Sequence, residues 1–372
     1  MKVLIVFSSS ELGGAERSLT RMALSAPTEV SFSLATLDGQ GPWVEWSLSQ
    51  GTQPVVLGQR DTRHRHGRFG ISALWNLVCL VRRERYKAIY VIGFRASLCL
   101  RLMRPLFAGA YLVHGIRWNP ESCSRLDKTL RVAERMLGFL VDLYICNSKV
   151  AAKTLLHRAG VSEEKLAVIY NGLDWLPQRD SRRLSDDPNV IILANLSPRK
   201  GHFEFLDVVQ SVCKKLPAAH FFFVGRDDMH GELASEIQRR GLEGRITLTG
   251  YQSEVAPWLN RARLMVLPSK WGEGCPTSVL EGFAHNLPVV AYRIDGIPEL
   301  ISDGIDGILV SPGDSVGLEG AILKLLKDNQ LAEEMGAKGR VKVEKYFTLS
   351  HCAWEHAKAF SHLSMRSRTN NT

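Results

Sequence analysis

No run of apolar residues in this 372-residue chain approaches the ~18 needed to cross a bilayer as a helix, so no membrane span is expected. The apolar start Met1–Phe7 stops at Ser8, Ser9 and Ser10. That is too short for the core of a secretory leader and reads as a first strand. Cysteine is sparse: the seven residues at 79, 99, 123, 146, 213, 275 and 352 are scattered, with no C-x-x-C pair. This argues against a disulfide framework or a zinc site, and for free thiols in a reducing, cytoplasmic compartment. Trp43, Trp46, Trp75 and Trp118 are dispersed. No base-stacking cluster forms, and nucleic acid is not an expected partner. There is no tandem repeat and no low-complexity tract.

What remains is an ordinary globular composition, 45% hydrophobic and 23% charged. The length is enough for two α/β domains. The net charge of +9 is unevenly placed. Residues 1–180 hold 24 of the 47 Lys and Arg against 15 of the 38 Asp and Glu, and the rest of the chain holds 23 of each. An excess confined to one half points to an anionic partner there, such as a membrane surface or a phosphorylated substrate. A merely solvated basic surface is the alternative. The densest basic segment is Arg60–Arg68, with Arg63, Arg65 and Arg68; Arg101, Arg104 and Arg117 follow.

Short β-rich runs alternate with helix-period segments. Strands are expected at 3–7, 31–36, 54–57, 88–92, 110–114, 143–146 and 166–170, and again at 190–194, 221–224, 246–248, 264–267, 289–291 and 307–310. Helices are expected at 15–24, 71–83, 124–140, 149–159, 202–215, 231–240 and 349–363. Such alternation implies parallel sheets covered on both faces. The fold class is therefore α/β, with two Rossmann-like doubly wound domains facing a cleft. The expected boundaries are an N-terminal domain over 1–172, a polar linker over 173–188, a C-terminal domain over 189–345, and a closing helix and tail over 346–372 that return to the N-terminal domain. Ligands of such sheets bind beyond the carboxyl ends of the strands.

Three junctions carry candidate chemistry. After the first strand, Gly13 and Gly14 precede a helix, where backbone can approach a ligand and the helix start favours anions. The junction lacks the G-x-G-x-x-G fingerprint, and a plain tight turn would use the same glycines. After the strand at 190–194 come Asn195-Leu196-Ser197-Pro198-Arg199-Lys200-Gly201. Arg199 and Lys200 at a helix entry form a candidate phosphate clamp, a fork beside a point charge. After the strand at 264–267 comes Ser269-Lys270-Trp271-Gly272-Glu273-Gly274-Cys275-Pro276-Thr277. Here Pro276 suits a first helical position. Glu273 falls in the loop and Glu281 about one and a half turns into the helix. The N–H groups of the helix start lie between the two carboxylates.

Glu273, seven residues and Glu281 together resemble the E-x7-E motif of retaining glycosyltransferases of the GT-B fold, family 4. The resemblance extends to Gly13-Gly14-Ala15-Glu16, Val113-His114-Gly115, Lys200-Gly201, Phe223-Val224-Gly225, Leu287–Ala291, Gly296–Glu299 and Asp306-Gly307. It implies that Glu281 holds the ribose of a nucleotide-diphosphate sugar and that Glu273 contacts the donor-sugar hydroxyls. Lys200, with Arg199, would stabilise the departing diphosphate, and His114 would reach the donor sugar. Gly13, Gly14, Asn195, Gly274, Cys275, Pro276 and Thr277 would complete the donor site. Asn195 stands where the family often has arginine, so Arg199 is expected to take over that contact.

No D-x-D occurs in the chain. The cations and helix start would therefore replace the metal of metal-dependent transferases, and no cofactor is expected beyond the nucleotide-sugar substrate. The expected acceptor is a lipid-linked or cell-surface glycan intermediate of polysaccharide synthesis. It would be met at the inner face of an anionic membrane through Arg63, Arg65, Arg68 and Arg117. A nucleotide-sugar epimerase of related fold, or a binding protein without turnover, stays open as an alternative.

Overall fold

The computed structural model describes residues 1–59, 69–107, 109–117, 132–174, 177 and 187–369. The chain forms two compact units, Met1–Asp174 with Leu349–Thr372, and Trp175–Thr348.

The first unit is built on a sheet of seven parallel strands among the described residues: β1 (Lys2–Phe7), β2 (Ser31–Thr36), β3 (Val55–Val56), β4 (Ala88–Ile92), β5 (Tyr111–Ile116), β6 (Leu143–Cys146) and β7 (Leu166–Val168). Their order is β3-β2-β1-β4-β5-β6-β7, so the winding reverses between β1 and β4. Val3 to Phe7 and all of β4 are buried, because a parallel sheet is covered on both faces. One cover is the helix Leu349–Thr369. Its Cys352, Ala353, Ala357, Phe360 and Leu363 recur at helical spacing and pack with Val3, Ile5 and Tyr90.

The second unit has a six-stranded parallel sheet: β8 (Asn189–Leu193), β9 (His220–Val224), β10 (Ile246–Gly250), β11 (Leu264–Leu267), β12 (Val289–Tyr292) and β13 (Gly307–Val310), in the order β10-β9-β8-β11-β12-β13. Here the reversal falls between β8 and β11, which are direct neighbours. The segments leaving those two strands are the ones that carry Arg199, Lys200 and Glu273.

All thirteen expected strands are present, several with shifted ends. The helices differ more. The segment 149–159 is an α-helix over Lys149–Thr154 that widens into a π-turn over Leu155–Ala159. Only part of 124–140 is described, ending in a 3-10 turn over Gly138–Leu140. Among the described residues, four further helices of eight residues or more occur at Pro42–Ser49, Phe94–Leu102, Ser315–Lys327 and Asn329–Tyr346. The last two have Asp caps: Asp314 accepts from the Gly317 N–H and Asp328 from the Leu331 N–H.

The helix Asn329–Tyr346 fixes the site helix Thr277–Ala284 from behind. A Cβ on Gly336 would lie 1.7 Å from the Asn286 carbonyl oxygen, and one on Gly339 would lie 2.3 Å from the Phe283 ring. Arg340 donates to the Ala284 carbonyl at the end of the site helix. In an isolated helix Gly→Ala is favourable by about 1 kcal/mol. Here overpacking should reverse the sign, and Gly336→Ala should destabilise by about 1–3 kcal/mol. A lowered urea midpoint would bear this out, and an unchanged or raised one would show that the two helices are not held this closely.

Candidate functional site

In the second unit the winding reversal brings two loops side by side. From β8 the chain passes Asn195, makes a 3-10 turn over Pro198–Lys200 and enters the helix His202–Lys215 through Gly201. Gly201 has φ +74, and a Cβ there would lie 2.1 Å from the Pro268 carbonyl oxygen. Only glycine allows this turn to lie against the loop leaving β11.

Across that contact, Glu273 Oε1 accepts from Lys200 Nζ at 2.5 Å and from Ser269 Oγ at 2.6 Å, with Arg199 Nη1 at 3.4 Å. Arg199 also donates to the Gly272 carbonyl at 3.0 Å. Glu273 and Ser269 are buried, and the Lys200 side chain is only 13% exposed. Burial presses the Lys200 ammonium toward neutrality, as does Arg199, while Glu273 opposes them; the net direction is downward. Burial likewise opposes the Glu273 carboxylate, but Lys200 and Arg199 outweigh it and hold its pKa below the ordinary value. The two groups form an ion pair that is largely shielded from solvent.

Backbone geometry supports the loop. The N–H groups of Gly272 and Glu273 both donate to Asp295 Oδ2, at 2.6 and 3.0 Å, and the Gly296 N–H donates to the Glu273 carbonyl at 3.0 Å. Sequence reasoning assigned no role to Asp295 or Ser269. The available signal was a Ser and an Asp, each just beyond the carboxyl end of a strand.

The loop ends in Gly274, Cys275 and Pro276, all buried. The helix then runs Thr277–Ala284, so Pro276 is the cap residue and not the first helical one. Its φ of −64° suits a helix start, but its ψ of 116° is extended and delays the first turn by one residue. No side chain caps this helix; the Val279 N–H donates to the Pro276 carbonyl, and the N–H groups of Thr277 and Ser278 before it are the ones a helix start can offer to an anion. Val279, Leu280, Phe283 and Ala284 are buried, whereas Thr277 and Glu281, one turn apart, are half-buried on the helix's open edge. Asn195 accepts from the Arg226 N–H through its side-chain oxygen, at 3.3 Å.

In the first unit, Gly13 precedes the helix Gly14–Leu24, again with no side-chain cap. His114, in β5, is buried and in contact with Arg101 and Glu134. Arg117, expected at the acceptor or the membrane, is half-buried. It donates to Asn171 Oδ1 at 2.9 Å and to the Tyr90 hydroxyl at 3.0 Å, with His356 Nε2 at 3.4 Å. Those buried polar groups draw the guanidinium inward and tie β4 to the helix Leu349–Thr369. Arg63, Arg65 and Arg68 lie outside the described residues. Among the described residues no group of three or more His, Cys, Asp or Glu could hold a metal ion. No helix there is long and apolar enough to cross a membrane.

Two family models match: "Glycosyltransferase Family 4" over residues 12–175 and "Glycosyl transferases group 1" over residues 187–328. The lipopolysaccharide core biosynthesis glycosyltransferase LpsE of Rhizobium meliloti is 26% identical over 267 residues, 70% of this chain and 71% of that protein. An Escherichia coli UDP-Gal:alpha-D-GlcNAc-diphosphoundecaprenol alpha-1,3-galactosyltransferase is 22% identical over 279 residues, 70% of this chain and 72% of its own. Several other relatives align over about half of their length. Among solved structures, Anabaena HepE in complex with UDP-glucose superposes with a TM-score of 0.79 at 24% identity, covering 97% of this chain and all of that one.

The Lys200–Glu273 geometry generates a kinetic prediction. If Lys200 meets a diphosphate whose charge grows as the sugar leaves, Lys200→Ala should slow single-turnover transfer roughly 100- to 1,000-fold. Arg199 shares the same carboxylate, so the double change with Arg199→Ala should cost more than the two single changes combined. Near wild-type rates in all three variants would place the clamp elsewhere.

Proposed function

The chain belongs to the family 4 glycosyltransferases of the GT-B fold, and from that premise we propose that it transfers a sugar, with retention of configuration and without a divalent metal, from a nucleoside-diphosphate donor to a lipid-linked or cell-surface glycan intermediate. The observation that carries this reading is the Arg199–Lys200–Glu273 cluster beside the uncapped start of the helix Thr277–Ala284. An arriving diphosphate competes with Glu273 for Lys200 and accepts from the helix N–H groups, so it finds cations already held in place. Glu273, relieved of that pairing, is then available to the sugar hydroxyls. Glu281, half-buried in the same helix, would hold the ribose.

In the step itself the bond from the anomeric carbon to the diphosphate oxygen breaks, and its electron pair stays on the diphosphate. The acceptor oxygen bonds to the same face of the sugar, and its proton passes to the leaving phosphate. The chain's contribution is electrostatic: fixed cations and helix dipoles where negative charge accumulates. The absence of D-x-D supports a metal-independent route. The test is product analysis after incubation with a panel of uridine- and guanosine-linked donors and lipid-linked acceptors. Transfer with the donor's anomeric configuration, undiminished in excess EDTA, is expected. Inverted product, or a loss that magnesium or manganese restores, overturns the mechanism.

For the acceptor, the name of the Escherichia coli relative specifies a diphosphoundecaprenol-linked sugar. The charge excess in residues 1–180 supports an anionic membrane as the meeting place. So do Val132, Met136 and Phe139, which recur at helical spacing and are 59%, 67% and 72% exposed. The enzyme should float with anionic vesicles, less so as salt rises from about 0.1 M to about 1 M. Changing Arg63, Arg65 and Arg68 to Glu should abolish flotation. Equal flotation with neutral vesicles would count against electrostatic docking.

A further inference from the structure

The first unit holds a second charged cluster. Arg101 and Ser97, on the helix Phe94–Leu102, face His114 of β5, Tyr144 of β6 and Glu134; all five are buried. His114 and Tyr144 are register partners on neighbouring strands. The Arg101 fork grips Glu134 with both arms, Nη1 to Oε2 at 2.8 Å and Nη2 to Oε1 at 2.7 Å. The Tyr144 hydroxyl donates to the same carboxylate at 2.8 Å. Arg101 Nη2 also reaches Ser97 Oγ at 3.1 Å and His114 Nδ1 at 2.9 Å.

The last contact decides the chemistry of the ring. A guanidinium has donors and no acceptor, so at 2.9 Å the Nδ1 atom must offer its lone pair. The alternative, an Nδ1–H aimed at Glu134 Oε1, would span 3.4 Å and set two donors against each other at Nη2. The ring proton therefore sits on Nε2, which makes no hydrogen bond among the described residues. Burial, the leading influence, also favours the neutral imidazole.

We propose that Arg101 and Glu134 are positioning residues for His114: the buried fork locks the imidazole as its neutral Nε2–H tautomer, so that it meets the substrate as a hydrogen-bond donor and never as a base. Glu134 cancels the guanidinium's charge and fixes its plane, and Arg101 passes that orientation to Nδ1. The recipient, a hydroxyl of the donor sugar, rests on the proposed function and on the role that the family resemblance implies for His114; the tautomer does not.

Long-range proton–nitrogen correlation NMR on histidine-labelled enzyme reads the tautomer directly, with His114→Gln identifying the signal among eleven histidines. The wild type should show a protonated Nε2 and a bare Nδ1; a protonated Nδ1 overturns the proposal. Glu134→Gln keeps the guanidinium and should keep the tautomer. Arg101→Met should flip it, freeing Nδ1–H to donate to Glu134. An unflipped signal in Arg101→Met also overturns it. In kinetics, His114→Ala and Arg101→Met should each reduce kcat about 10-fold, the loss of roughly one hydrogen bond, and the double variant should fall no further. If the tautomer is as stated but His114→Ala transfers at the wild-type rate, the role of His114 toward the sugar fails while the positioning stands.

Discussion

An ammonium and a carboxylate share an almost water-free corner at the point where the second sheet reverses its winding, and the rest of that unit is arranged around keeping them there. Neither charge is tolerable alone. Removing one partner of a buried pair typically costs about 3–5 kcal/mol, because the other is left uncompensated. The pair therefore fixes how close the turn after β8 must come to the loop after β11. That distance in turn demands a residue without a Cβ at 201. It also explains the second layer: Asp295 collects the N–H groups of Gly272 and Glu273, which would otherwise compete for the carboxylate. The site helix is pinned at its far end by Arg340 and against its side by Gly336 and Gly339, so its free N–H groups are presented from a rigid base.

The two units use buried charge for different ends. In the second, Lys200 and Glu273 satisfy each other across two loops, and under the proposed function a diphosphate would part them. In the first, the Arg101–Glu134 pair is bidentate. Both arms of the fork are used, and Tyr144 takes part of the remaining capacity of the carboxylate. A pair closed in this way has little to offer a ligand, and its influence passes through the ring it touches.

Strands were the most legible elements. β4, β6, β11 and β13 begin and end where the apolar runs do, because strands buried on both faces leave no polar position inside to blur the boundary. Helices were harder. Phe94–Leu102 has a weak apolar face because Arg101 lies on its buried side, and only the fold reveals the partner that makes that arginine tolerable. Ser315–Lys327 and Asn329–Tyr346 follow one another with Asp328 as the only punctuation between them. In the site, Lys200 and Glu273 could be picked out because each sits at a strand's end beside glycine. Their mutual contact could not, since 73 residues separate them and only the strand order makes them neighbours. The contacts of Arg117 were hidden for the same reason: its partners Tyr90, Asn171 and His356 are scattered along the chain, and no local pattern announces them.

The helix Leu349–Thr369 belongs to the first unit, although the whole second unit precedes it in the chain. On the ribosome this imposes an order of events. Residues 175–348 are contiguous and can close their own core as soon as they emerge. The first unit, synthesised earlier, must wait with Val3, Ile5 and Tyr90 lacking the cover that Ala353, Ala357 and Phe360 later provide. A nascent chain halted within the second unit thus carries a half-dressed sheet, a natural client for a holdase chaperone. Vectorial synthesis here finishes the beginning of the protein last.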